Sequence, residues 1–302
     1  MTVNEHFKSG FVNIIGRPNV GKSTLMNALV GENMSIVTHK PQTTRHRIFG
    51  ILSGDDFQIV FSDTPGFVLQ PAYKMHEAMN DFIAQSFEDA DVMLFVTVPG
   101  ELFNEENELI KRLKTAECQK ILLINKTDMF TEEQIFEQEK LMRTLAPFAY
   151  VFKISALKER GFGYLLDVIK EKLPLSPPYF PDDQLTDRTE RFFVGEIIRE
   201  KILLNYREEI PYASEVNVDG FKETKTNAGE SIAKISATIY IARETQKMIL
   251  LGKNGSAIKK LGTDARVDIE KFLGNKVHLE LTVKVRDNWR DDDKALKHFG
   301  YK

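Results

Sequence analysis

The chain has 302 residues, 42% of them hydrophobic and 28% charged, with a formal net charge of −3. That apolar content supports a sizeable core and excludes disordered, collagen-like and mucin-like chains, while the single cysteine, Cys118, excludes a disulfide framework or a multi-cysteine metal site. No apolar run approaches the ~20 residues of a membrane span, and Met1–His6 shows no basic patch ahead of an apolar block, so the expectation is a cytoplasmic protein without a secretory signal.

In chain order, apolar runs near 11–15, 57–62, 91–98, 120–124 and 150–154 predict buried strands rich in Val, Ile and Phe. Between them, 22–30, 77–89, 105–116, 132–145 and 162–173 predict helices. The alternation implies an α/β domain whose mostly parallel sheet is covered on both faces. Residues 48–63, with Gly54-Asp55-Asp56 in the middle, predict a hairpin that adds one antiparallel strand. Pro174, Pro177, Pro178 and Pro181 cannot continue a helix and mark an extended linker over 175–187, separating a first domain (1–174) from a second (188–302). Beyond it the pattern predicts a helix over 190–206, strands at Glu215–Phe221 and Ser231–Arg243, and helices over 244–251 and 256–273. A final strand places Val277, Leu279, Leu281, Val283 and Val285 on one face. This α-β-β-α-α-β order describes an α+β domain with helices on one face of a three-stranded sheet. Charge divides unevenly: residues 1–183 hold 19 Lys and Arg against 25 Asp and Glu, residues 184–302 hold 22 against 19.

Gly16-Arg17-Pro18-Asn19-Val20-Gly21-Lys22-Ser23 fits G-x-x-x-x-G-K-[ST], directly after the strand Phe11–Ile15 and running through Thr24 into a helical pattern. Glycines let the backbone wrap a phosphate chain with its N–H groups inward, and the helix N-terminus adds a positive dipole end. Lys22 can neutralise the β- and γ-phosphates and the Ser23 hydroxyl can ligate Mg²⁺. Asp63-Thr64-Pro65-Gly66 follows the second strand of the hairpin; Asp63 would hold Mg²⁺ through water and the Gly66 N–H would contact the γ-phosphate. Thr44, with Thr43 the alternative, would complete the metal's coordination.

A phosphate loop alone does not choose between ATP and GTP. Asn125-Lys126-Thr127-Asp128 caps the strand Ile121–Ile124. The Asp128 carboxylate can accept from guanine's N1–H and 2-amino group, donors that adenine lacks, and an acceptor left unpaired discriminates against the wrong base. Asn125 can bridge the base to the phosphate loop, the Lys126 stem can lie over the ring, and Ser155-Ala156-Leu157 would offer a backbone N–H to the guanine carbonyl.

Together these motifs resemble the translational GTPases of the TrmE–Era–EngA class. The resemblance implies slow GTP hydrolysis with Mg²⁺, and one departure from the Ras-like pattern fits it: Phe67 stands where many small GTPases carry the glutamine that orients water. It also makes Asn19 a candidate ligand for K⁺, the alternative being a side chain that only stabilises the loop. No catalytic residue is fixed by this reading; Asn19, Thr44 and Gly66 are the candidates.

In the second domain, Gly252-Lys253-Asn254-Gly255 forms a G-x-x-G turn between two predicted helices, where a sugar–phosphate track can approach the backbone. Ser256 opens the next helix. Arg243, Lys247, Lys253, Lys259, Lys260 and Arg266 outnumber Glu244 and Asp264 there, and Lys259 and Lys260 would add salt-dependent phosphate contacts. Leu251–Ile258 matches I-G-x-x-G-x-x-I with Leu first, so the domain resembles a type II KH domain, and the whole chain resembles the Era family. That resemblance implies a monomer that binds the 3′ end of 16S rRNA on the 30S subunit and assists small-subunit maturation. It also implies peripheral association with the inner membrane, although no amphipathic anchor stands out. Trp289 reads as packing rather than a base-stacking platform. Two rivals stay open at this point: an RNA-binding protein with a purely structural nucleotide site, and a P-loop nucleotide kinase or ATPase.

Overall fold

A computed structural model describes residues 6–225 and 231–302. The N-terminal residues Met1–Glu5, read above for a secretory signal, lie outside the described residues. The chain divides into two compact units, residues 6–70 with 77–187, and residues 71–76 with 188–302.

The first unit is built on β1 (Lys8–Gly16), α1 (Lys22–Val30), β2 (Ile48–Ser53), β3 (Phe57–Asp63), α2 (Lys74–Glu88, from Glu77 onward), β4 (Val92–Thr97), α3 (Glu108–Thr115), β5 (Gln119–Ile124), α4 (Glu132–Leu145), β6 (Tyr150–Lys153) and α5 (Gly163–Lys172). Its six-stranded sheet runs β2-β3-β1-β4-β5-β6; β2 and β3 are antiparallel and every other neighbouring pair is parallel. Every residue of the central strand β4 is buried, as expected where helices cover both faces of a parallel sheet. Ile15, Phe95, Leu122 and Ile124 meet Leu109, Ile110 and Leu113 of α3 and Ile135 and Met142 of α4 in one apolar cluster. Thr131 and Gln134 close a capping box at the start of α4, worth about 1 kcal/mol, which fixes where that helix enters the layer.

The Pro-rich segment is extended, and it is fixed along this unit. Pro174 and Pro177 carbonyls accept from Ser9, the Gln58 amide pairs with the backbone at Tyr179 and Phe180, and the Ile51 N–H donates to the Leu185 carbonyl.

The second unit contains α6 (Glu190–Asn205), α7 (Ile210–Ala213), β7 (Ser214–Lys225), β8 (Ser231–Ile241), α8 (Glu244–Leu251), α9 (Ser256–Leu273), β9 (Lys276–Val285) and α10 (Asp293–His298). Its sheet order is β7-β8-β9, with β7 antiparallel and β9 parallel to β8. Ala233, Ile235, Ala237, Ile239 and Ile241 are buried on one face of β8, the period-2 pattern of a half-buried strand. Two features differ from the sequence expectation. The four-residue α7, with proline in its first turn, is too short to show a helical period. And β7 runs past Phe221 to Lys225, where Lys222-Glu223-Thr224-Lys225 offers no apolar residue to mark a strand and the pairing with Ser231–Lys234 of β8 makes it one.

Trp289 is fully buried. Its Nε1–H donates to the Ala213 carbonyl over 2.9 Å and its ring meets Phe299 edge-on at 5.4 Å, so it is a packing residue.

Candidate functional site

The G-x-x-x-x-G-K-S segment connects β1 to α1. Gly21 precedes the helix at φ 99°, and a Cβ there would come within 2.4 Å of Asn125 Nδ2, so both conformation and space require glycine. No side chain caps the first turn of α1 and no acid stands in it, which leaves its N–H groups for a ligand. Lys22 Nζ donates to the carbonyls of Gly16 (3.1 Å) and Arg17 (3.0 Å). Burial brings its ammonium down to about 8, against the opposing pull of Asp63 and Glu101.

Three oxygen-bearing side chains converge beside it. Ser23 Oγ donates to Asp63 Oδ2 over 2.6 Å, Thr44 Oγ1 lies 2.9 Å from Ser23 Oγ, and Thr44 Oγ1 donates to Asp63 Oδ2 at 3.3 Å. Asp63 Oδ1 is buried with no hydrogen-bond partner among the described residues, and burial pushes this carboxyl above its ordinary range. One buried carboxylate with a spare lone-pair oxygen and two hydroxyls is the donor set that suits a hard divalent cation shared with phosphates. Thr43 is engaged elsewhere, bonding the Lys40 carbonyl and the Thr38 hydroxyl, so Thr44 rather than Thr43 stands at this point. Arg47 ties the loop's exit to the sheet, bonding Ser62 and Asn13 and pairing with Asp89 at 2.6 Å.

At the other end, Asn125 Nδ2 donates to the Val20 carbonyl (2.8 Å) while its Oδ1 accepts from the Ala156 N–H (2.9 Å). Lys126 adopts φ 61° and Nζ donates to the Asn19 carbonyl. The Ser155 hydroxyl donates to Asp128 Oδ1 over 2.6 Å and holds this carboxyl below its ordinary range, so it faces a base as an anion at neutral pH. Between the two ends lies a cleft of about 440 Å³ lined by Asn19, Lys22, Ser23, Thr24, Gly66 and Asn125, together with Pro18, Gly21, Lys126, Asp128 and Ser155–Leu157, a size that suits a nucleotide.

The remaining sequence-predicted residues support the cleft from behind. Val20 and Thr64 are buried, with Thr64 Oγ1 bonded to the Ile14 carbonyl, and Pro65 is buried beside them. Arg17 sends its guanidinium to the Leu102 carbonyl (2.7 Å) and over the Phe103 ring, so only its backbone serves the loop. Phe67 packs against the apolar cluster rather than into the cleft. Sequence reasoning missed Ile36–Lys40 and Gln42, which form a wall of the cleft, and Met129 beside the base motif; the long loop between the first helix and the hairpin was the only signal for the former.

In the second unit, Gly252 ends α8 at φ 72°, where a Cβ would meet Ala257 Cβ at 2.6 Å. Lys253–Gly255 forms a 3-10 turn and Ser256 starts α9. Lys253, Asn254, Ser256, Lys259 and Arg243 are exposed. Lys260 instead pairs with Asp264 at 2.9 Å and Lys247 with Glu244 at 3.4 Å, which draws both toward their own helix surface. A groove of about 320 Å³ runs between α9 and β9, lined by Ile258, Lys259, Gly262, Thr263 and Arg266 opposite Leu279 and Leu281.

Residues 11–126 match the family described as "50S ribosome-binding GTPase", and residues 209–290 match the KH domain family. The GTPase Era of Syntrophus aciditrophicus is 46% identical over 98% of this chain and 95% of its own length. The chain belongs to the Era family of GTPases. It therefore hydrolyses GTP, with a P-loop GTPase domain followed by a KH domain. Two crystal structures share the fold at 35% identity, covering 98% of this chain and 99% of theirs: Aquifex aeolicus Era bound to GDP·AlF4⁻ (TM-score 0.90), and Era in complex with MgGDPNP and nucleotides 1506–1542 of 16S ribosomal RNA (TM-score 0.91). Membership in a family of GTP-hydrolysing enzymes removes both rivals left open by the sequence, the purely structural nucleotide site and the nucleotide kinase or ATPase.

Proposed function

We propose that this Era-family chain is a GTP-driven switch that binds the 3′ end of 16S rRNA through its KH domain and assists maturation of the small ribosomal subunit. The observation that carries the reading is the meeting of Ser23, Thr44 and Asp63 at one end of a cleft whose other end holds Asn125 and Asp128. One end suits Mg²⁺ and phosphates and the other suits guanine.

In this reading the amides of Gly16–Ser23 cradle the phosphates and Lys22 neutralises them. Ser23 and Thr44, with Asp63 through water, would hold Mg²⁺, whose charge when bound would offset that of the phosphates. The Gly66 N–H faces the γ-phosphate. Because Phe67 is packed into apolar surroundings, no side chain at that position orients the attacking water, so intrinsic turnover is expected to be slow. Asn19 in the phosphate loop is the residue we assign to a K⁺ ligand. The loops carrying Thr44 and Asp63–Phe67 order on triphosphate and relax on hydrolysis.

Gly252–Ser256, with Lys253, Lys259 and Arg243, presents backbone and charge to single-stranded RNA; Lys247 and Lys260 join it by exchanging their ion pairs for phosphates. Residues 1–174 act as the GTPase domain, 175–187 as the linker and 188–302 as the RNA-binding domain. The family resemblance supports a monomer that works on the 30S subunit in the cytoplasm, with peripheral contact to the inner membrane; no helix among the described residues is long and apolar enough to cross a membrane. The test is phosphate release from GTP, measured with Mg²⁺ in K⁺ or Na⁺, beside binding of an rRNA 3′-end oligonucleotide. Turnover that follows Mg²⁺ and GTP but not ATP, together with oligonucleotide binding, supports the reading; equal use of ATP contradicts it.

A further inference from the structure

A buried polar cluster lies behind the nucleotide cleft, at the end of β4. Thr97 Oγ1 donates to Glu101 Oε2 over 2.7 Å, and the Val98 N–H donates to the same oxygen at 3.2 Å. Gln138, from the middle of α4, reaches in from the helix layer: its Nε2 donates to Thr97 Oγ1 (3.1 Å) and to the Glu101 carbonyl (3.3 Å), and its Oε1 accepts from the Gly100 N–H (3.2 Å). Thr97 is fully buried and Gln138 is 3% exposed. A glutamine placed there carries a real desolvation cost, offset here because each polar end of its amide is bonded.

The cluster touches both halves of the nucleotide site. The Thr97 carbonyl accepts the Asn125 N–H at 2.8 Å, so the first residue of the guanine motif hangs from it. The next residue after Glu101, Leu102, gives its carbonyl to Arg17 of the phosphate loop, whose guanidinium also lies 4.3 Å from the Phe103 ring centroid. Glu101 itself is half-buried and its charge acts on Lys22 and Arg17 of the phosphate loop, but neither function of the site explains why the Gln138 amide is buried against it.

We propose that Thr97, Glu101 and Gln138 form a positioning hub that sets the guanine motif at Asn125–Asp128 and the phosphate loop at Arg17 relative to each other, so that base discrimination depends on residues that never touch the nucleotide. The hub acts through hydrogen-bond geometry. Both donors to Glu101 converge on one oxygen, which an amide oxygen can replace, and burial already pushes the Glu101 carboxyl above its ordinary range. The inference rests on the guanine-site reading above.

Full-length wild type, Glu101→Leu, Gln138→Met and Glu101→Gln are compared for affinity to a fluorescent GDP and for the ratio of GTP to ITP affinity, inosine lacking the 2-amino group that Asp128 would accept. Glu101→Leu and Gln138→Met are expected to weaken GDP about tenfold and to narrow the GTP/ITP ratio, because the carboxylate no longer meets the base squarely; tenfold corresponds to ~1.4 kcal/mol. Glu101→Gln is expected to restore both to within about twofold of wild type. A merely structural residue would weaken both nucleotides in parallel, so an unchanged ratio in a folded Leu or Met variant overturns the proposal, as does a Gln variant no better than Leu. Should Glu101→Leu fail to fold, Gln138→Met, nearly isosteric with the residue it replaces, carries the test. A wild-type chain with no preference for GTP over ITP overturns the guanine site itself, and the hub with it.

Discussion

Ser23 and Asp63, forty residues apart in sequence, are joined by a 2.6 Å hydrogen bond from hydroxyl to carboxylate. That bond brings the last residue of the phosphate loop onto the end of β3 and leaves the second Asp63 oxygen buried with no hydrogen-bond partner among the described residues. A divalent cation brought in with a triphosphate would take up both demands at once, and the first prediction follows. Asp63→Asn keeps the shape but loses the anionic ligand. Its Mg²⁺-dependent phosphate release should fall about a hundredfold or more, the scale of losing metal-centred charge stabilisation, while fluorescent GDP still binds in the presence of a chelator. A Mg²⁺ titration curve that matches wild type would show that Asp63 has no part in the metal's coordination.

Asp128 faces the base end of the cleft as a carboxylate held by Ser155. Asp128→Asn presents an amide donor in place of one acceptor. GTP affinity should drop by about two orders of magnitude, whereas xanthosine triphosphate, whose C2 carbonyl accepts from that amide, should gain. Competition assays with both nucleotides measure this, and retained preference for GTP would place guanine recognition elsewhere.

The G-x-x-G turn makes a separable prediction. Gly252 has φ 72° and no room for a Cβ, so Gly252→Asp should displace the turn and add a negative charge, cutting affinity for a single-stranded rRNA 3′-end oligonucleotide at least about tenfold. Lys253→Ala, gentler because Lys253 is exposed, should lower the slope of log affinity against log salt by about one. Basal GTP turnover should stay at the wild-type level in Lys253→Ala. Oligonucleotide binding by Gly252→Asp at wild-type strength would move the RNA surface away from this loop.

The tail of the second unit is held by Tyr301, whose Oη donates to Glu215 Oε2 over 2.6 Å in a buried setting. Tyr301→Phe withdraws one donor from a buried carboxylate and should cost about 1.5–3 kcal/mol of that unit's stability, read from urea unfolding. A change within experimental scatter would mean that the bond contributes nothing net.

Glu101 adds a pH dependence of known sign. Its carboxyl is raised by burial in the folded chain, against bonds from Thr97 and Val98 that pull it down. In the window between the ordinary carboxylate value and this raised one, the folded state holds more protons, so the residue's contribution to stability falls as pH rises. Glu101→Gln cannot titrate. The variant should gain on wild type steadily as pH climbs from about 4 through that window, and parallel stability curves would contradict the assignment.

Much of this architecture was legible in the sequence because it is locally encoded. The phosphate loop, the D-x-x-G segment and the N-K-x-D motif each sit at the end of an apolar run, and a strand end fixes where the next few residues point. The Gly252–Gly255 turn was visible for the same reason, flanked by two helical periods. What stayed hidden depends on which of several available partners each side chain takes. Thr43 and Thr44 are adjacent hydroxyls, and only the bonds of Thr43 to Lys40 and Thr38 separate them. The basic run suggested Lys260 as free for phosphate, but Asp264 one turn on takes its ammonium. Nothing in the helical pattern over 132–145 singles out Gln138, since its partners Thr97 and Gly100 lie some forty residues earlier.

A GTP-driven switch that binds RNA requires nucleotide state and RNA binding to be coupled in one chain. Linkage makes that coupling reciprocal, so whatever GTP does to RNA affinity, RNA must do to GTP affinity by the same factor. The direct measurement is calorimetric affinity for a non-hydrolysable GTP analogue with Mg²⁺, taken with and without a saturating rRNA 3′-end oligonucleotide. Analogue binding is expected to be tighter in the presence of RNA, matched by an equal gain in RNA affinity when the analogue is bound. Identical analogue affinities in the two titrations would contradict it.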